Sequence, residues 1–197
     1  HDGGSSTAVL GCVDGSARTR RDARPADAGA SVEGDDREIG MKISPTIMGG
    51  LRIDAEGEAD WHLLDMIITD AVSCDRGLAD RLADAIGDQE IAGDWSEWVV
   101  PELEEGFEAE LAFVKMVIET ARSEASGGVG PLWIIPREAQ RWYGALNQAR
   151  LALEAIHHFG PSDGIDPDKL APEKRGAFMR SQFYCALQSA MLEHVMR

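Results

Sequence analysis

The sequence predicts a mainly α protein: a single-domain helical bundle of about five helices with a small N-terminal β segment, preceded by a disordered tail. Three observations carry this. Apolar residues recur at helical spacing through four long stretches. The first 40 residues hold no aromatic residue, and their only large aliphatics are Val9, Leu10, Val13, Val32 and Ile39. Just after Met41, Gly49-Gly50 separates two short apolar runs.

Residues 1–40 are rich in Gly, Ala, Ser, Asp and Arg. Such a segment buries too little apolar surface to offset its ordering entropy, so a disordered tail, or a mis-assigned start ahead of Met41, is expected there. Residues 41–197 form the expected helical domain. Its opening, "MKISPTIMGGLRID", reads as two strands around a hairpin turn. Residues 56–73 read as a helix with Trp61, Leu64, Ile68 and Ala71/Val72 on one face. Asp75 is a candidate cap for a second helix that buries Leu78, Leu82 and Ile86 and stops at Gly87. Asp94 is a candidate cap for a turn carrying Trp95 and Trp98.

Pro101 suits the first turn of a long helix to about Ser123, whose stripe is Leu103, Phe107, Leu111, Val114, Ile118 and Ala121. "SGGVGP" reads as a loop and "LWII" as a short extended piece. Pro136 opens a helix with apolar positions Ala139, Trp142, Leu146, Ala149, Leu153 and Ile156. Asp166-Pro167 and Pro172 can each begin a helix, the last burying Phe183, Leu187, Ala190, Met191 and Val195.

The formal net charge is −16. A phosphate backbone or an anionic bilayer is repelled by such a surface, so neither nucleic acid nor membrane is an expected partner; a protein partner is, and the charge favours a basic one. Between Asp54 and Glu110 stand 18 Asp and Glu, against Arg76 and Arg81 as the only Lys or Arg. Cys12, Cys74 and Cys185 lie far apart without CxxC spacing, which fits a reducing, cytoplasmic setting better than a disulfide framework.

No catalytic signature emerges. The sequence has no HExxH, GxSxG, GxGxxG or phosphate-loop pattern. His157 and His158 leave a helix about 100° apart and cannot readily chelate one metal. "SDGIDPDKLAPE" lacks the alternating oxygen ligands of a calcium loop, and Asp166 reads there as a helix cap. No catalytic residue, cofactor or metal is therefore expected, and oligomeric state is left open.

One polar cluster stands out. Tyr143, Asn147, Arg150 and Glu154 step by four, three and four along the helix, beside its apolar line. The structural expectation is that Arg150 pairs with Glu154 along the helix, or crosses to Glu110 or Glu108, since Glu110 sits at the rim of the long helix's apolar stripe. The functional alternative makes Tyr143, Asn147 and Arg150 an anion- or substrate-binding trio.

The stretches "WSEWVVPELEEGFEAEL", "RWYGALNQARLAL" and "RSQFYCALQSAMLEHVM" resemble a bacterial family called domain of unknown function 2017. The carrying motif is Trp142, Leu146, Asn147, Arg150 and Leu151, with Leu187-Gln188 in the closing helix, and the resemblance covers about Met41 to Arg197. It implies a short β segment followed by helices and supplies no catalytic residues. It also implies an association with regulators and with genes near the adaptor of the Clp protease. The expected function is thus a non-catalytic protein–protein interaction or regulatory protein. The alternatives are an anion- or small-molecule-binding protein or enzyme using the Tyr143/Asn147/Arg150 line, and a transcriptional regulator, which the charge disfavours.

Overall fold

A computed structural model describes residues 41–86, 89–161 and 164–196. The expected tail over 1–40, with Cys12, and the expected helix stop at Gly87 lie outside the described residues. Met41–Arg197 packs as one unit.

The β segment is a three-stranded antiparallel sheet in the order β1 (Lys42–Pro45), β2 (Leu51–Ala55), β3 (Gly130–Ile134). The expected hairpin joins β1 to β2, with Thr46 N–H donating to Gly50 O at 2.8 Å and Gly49 at φ 79°. A left-handed residue of that kind suits glycine. β3 arrives from far along the chain and pairs Leu51 with Ile134 and Ala55 with Gly130. Alternation puts Leu51, Ile53, Ala55, Leu132 and Ile134 on the core face, and Arg52 and Trp133 on the other.

The helices are α1 (Glu58–Ala71), α2 (Leu78–Asp84), α3 (Gln89–Asp94), α4 (Val100–Glu124), α5 (Ala139–His157) and α6 (Pro172–His194). α5 is the central one and packs against α1, α4 and α6. Its expected stripe is buried at Ala139, Trp142, Leu146, Ala149 and Leu153, whereas Ile156 near its end is 43% exposed. The main core joins the inner sheet face to Trp61, Leu64, Ile67, Val114, Ile118, Trp142, Tyr184, Leu187 and Met191. Trp61 also fixes the loop before β3, its indole N–H donating to Gly128 O at 2.8 Å. A smaller cluster holds Ala79, Ala83 and Val100, with Trp95, Leu103 and Phe107 against it.

Three local expectations are corrected. α1 buries Ile67 rather than Ile68 most fully, and Val72 is exposed just past its end. α2 begins after Gly77 with no side-chain cap from Asp75, and it buries Ala79 and Ala83 while Leu82 is 41% exposed. The contact with α4 is made through small side chains, which let the two helices approach. Asp94 caps nothing: it is itself helical, and α3 runs into α4 through a π turn at Trp95–Val99. The ring of Pro101 would crowd the carbonyl four residues back, that of Glu97, and a wider turn there removes the crowding. Asp166 does cap, accepting from Asp168 N–H at 3.1 Å ahead of the short 3-10 turn Pro167–Lys169.

Candidate functional site

The polar line on α5 is present as expected. Tyr143, Asn147 and Arg150 are half-buried at the rim of the core, and Glu154 is exposed. The expected partners of Arg150 are not the observed ones. Its Nη1 donates to Gln188 Oε1 of α6 at 2.6 Å, and Gln188 Nε2 donates in turn to Tyr143 O at 3.2 Å. Glu154 instead turns to the end of its own helix and accepts from Gly160 N–H at 3.1 Å. That contact closes α5 beyond the left-handed His158, at φ 50°. Arg150 lies on the α6 side of α5, while Glu110 stands on α4 and meets the α4 side of α5.

On that other side Glu110 meets Gln148, not Arg150. Gln148 Nε2 donates to Glu110 Oε2 at 3.0 Å and lies 3.4 Å from Phe107 O. Gly144 makes room for this: a Cβ there would collide with the Glu110 carboxylate. The carboxyl is held above its usual range by burial, which the Gln148 amide only partly counters. Glu108 is exposed on the same helix and takes no part.

Two features of Arg150 bear on binding. No carboxylate among the described residues pairs with its guanidinium, and its Nε is shut from solvent with no acceptor. The side chain of Asn147 beside it makes no hydrogen bond to another described residue. Tyr143 and Arg150 thus meet α6 through Gln188, and Arg150 does so with no carboxylate partner among the described residues.

A third polar cluster was not anticipated. Asp70 of α1, 3% exposed, accepts from Arg180 Nε at 2.7 Å, Arg180 Nη2 at 3.0 Å and Tyr184 OH at 2.7 Å. Burial, and then Asp70, hold the Tyr184 hydroxyl far above its ordinary range, and the carboxylate raises Arg180 as well. The fork of Arg180 grips both carboxylate oxygens, which fixes α6 against α1. The available sequence signal was Asp70 lying three residues past Ile67, on the buried side of α1.

The acidic segment from α3 to mid-α4 has a different character. Residues 89–114 contain no Lys or Arg. Asp94, Glu97, Glu102, Glu104, Glu105 and Glu108 are exposed, and none forms an ion pair among the described residues. Trp98, on the π turn, is 68% exposed among them. Elsewhere acids find bases: Arg122 of α4 bridges Glu58 and Asp65 of α1, the latter at 2.8 Å.

Among the described residues no group of three or more His, Cys, Asp and Glu side chains is placed to hold a metal ion. No helix described is long and apolar enough to cross a membrane. His157 stacks on Phe159 with ring centres 5.4 Å apart, and His62, His158 and His194 are exposed. Neither the curated proteins nor the solved structures yielded a match to this chain. A family model, however, matches residues 7–195, beginning ahead of Met41 and taking in α5, α6 and the residues that carry the resemblance. The chain belongs to the family described as Domain of unknown function (DUF2017).

Proposed function

We propose that this chain is a non-catalytic, cytoplasmic interaction or regulatory protein whose partner is a protein with a basic surface. The observation that carries this reading is the acidic segment over residues 89–114, which has no Lys or Arg and whose described exposed carboxylates pair with nothing among the described residues. Uncompensated charge of one sign opposes compaction and is retained at that cost for solubility or for steering a complementary partner. The family resemblance adds a place to look, among components of Clp-type proteolysis.

The test is a pull-down with the full chain over a salt series, beside a variant with Glu102, Glu105 and Glu108 changed to Lys. A partner held by the parent, released by salt and lost by the variant supports the reading. No enriched partner at low or high salt overturns it.

A second reading is favoured by one observation, the half-buried Arg150 without a carboxylate. In that reading the Tyr143/Asn147/Arg150 line takes a small anion such as phosphate or a carboxylate. Calorimetric titration of the parent and of Arg150→Ala with phosphate, sulfate and citrate tests it, and no heat from any of the three refutes it.

A further inference from the structure

The outer face of α4 carries more than charge. Glu102, Glu105, Ala109, Ala112 and Met116 of α4 are spaced by three, four, three and four, Trp98 of the π turn stands just ahead of them, and all six are exposed. Steps of that kind keep residues on one continuous line of a helix, the line along which a second helix packs. Its two ends are large and apolar, with Trp98 68% and Met116 54% exposed. They stand about 27 Å apart at ~1.5 Å per residue, roughly five helical turns. Between Glu105 and Met116 the line is bare: Gly106 is exposed beside Ala109 and Ala112, so another backbone can come close there.

We propose that this face seats a basic amphipathic helix of a partner protein, rooted at Trp98 and Met116, with its Lys and Arg set against Glu102 and Glu105 on the line and Glu108 beside it. The proposal rests on the interaction reading above and names its surface. An exposed indole is the side chain most enriched at binding hot spots, and Arg stacks on it well. The other well-exposed indole, Trp133 on the outer sheet face, is already covered by Arg52 at 5.2 Å. Arg52 is itself paired with Asp54 at 2.6 Å. Trp98 has no such cover among the described residues. A second copy of this chain is a poor occupant, because it would bring its own Glu102, Glu105 and Glu108 to the same interface, like charge against like. An acidic or neutral helix would leave the three carboxylates uncompensated.

The probe is a synthetic peptide of about 20 residues, three heptads, with Leu on one line and Arg beside it. A scrambled peptide of the same composition is its control. Binding of each labelled peptide to the full chain is read by fluorescence anisotropy, at low and at physiological salt. The helical peptide should bind the parent at least about tenfold more tightly than the scrambled one, a difference of ~1.4 kcal/mol. Trp98→Ala should remove that advantage, and Ala112→Gln should too, since it adds bulk to the bare middle without charge. Both sites are exposed, so two independent variants guard against one failing to fold. Equal binding of the two peptides, unaffected by either variant, overturns the helix seat while leaving the acidic-surface reading intact. No binding of either peptide at low salt overturns both. Self-association of the parent in sedimentation, abolished by Trp98→Ala, assigns the face to a second copy and overturns the basic partner.

Discussion

Replacing Arg180 by alanine strands a buried charge. Asp70 has three donors, two of them from Arg180, and almost no access to water. With the guanidinium gone, only the Tyr184 hydroxyl remains on a carboxylate that is almost shut from water. Breaking a buried ion pair from one side costs about 3–5 kcal/mol. The Arg180 side chain is itself only a quarter exposed, so water replaces it at one edge and the lower end, about 3 kcal/mol, is expected. Arg180→Lys keeps the charge but not the fork and should recover less than half of that loss. Arg150→Ala makes the comparison. It removes a donor from the buried oxygen of Gln188 and leaves no carboxylate behind, so its cost is about 1–3 kcal/mol. Urea denaturation of the three variants, with unchanged m-value as the check on two-state unfolding, measures these differences. If Arg180→Ala costs under about 1 kcal/mol, the level of an exposed pair, the stranded-charge argument is wrong.

Leu146→Ala, at a fully buried position of the central helix, should cost about 2–5 kcal/mol by the same assay, and a loss under ~1 would place that face at the surface. Glu110→Gln tests the raised carboxyl. Its folded pKa lies above the unfolded value, so its contribution is fully present below about pH 4.3 and is lost as pH rises through the folded value. The variant should therefore be more stable than the parent at neutral pH and not in acid; a pH-independent difference refutes this. Gly144→Ala pushes the Glu110 carboxylate off Gln148 and should destabilise the parent. In a Glu110→Ala background it should instead stabilise by about 0.5–1 kcal/mol, the gain of alanine over glycine in a helix, and melts of the four combinations read the sign. The Tyr184 hydroxyl, raised by burial and Asp70, lends stability that is present below about pH 10 and lost as pH climbs further; Tyr184→Phe should flatten that alkaline decline in thermal melts.

The bundle was legible because α5 writes its burial plainly: large apolar residues at helical spacing beside a polar line. α2 was harder, since its buried residues are the alanines Ala79 and Ala83, and a pattern drawn through Leu78 and Leu82 turns the helix by one residue. The same one-residue slip, Ile68 for Ile67, hid Asp70. A buried aspartate is invisible unless the face is assigned correctly, and its partners stand 110 and 114 positions away, beyond any local pattern. Glu110 was rightly singled out as a rim carboxylate in want of a partner. The partner was misassigned because charge suggested an arginine, while geometry gave that side of α5 to Gln148. The π turn was not legible, as Pro101 predicts a helix start equally well.

The grip of α6 on α1 shapes the order in which the chain can assemble. α1, the hairpin and α5 all leave the ribosome before α6, and until it arrives Asp70 faces an incomplete core without the guanidinium and phenol that complete it. α6 also brings Leu187 and Met191. A nascent chain ending before Pro172 thus exposes apolar surface and an unmatched acid together. Contacts of such sequence separation form late and raise the folding barrier. The interval between emergence of α5 and docking of α6 is accordingly when this protein is most open to chaperones and to proteases.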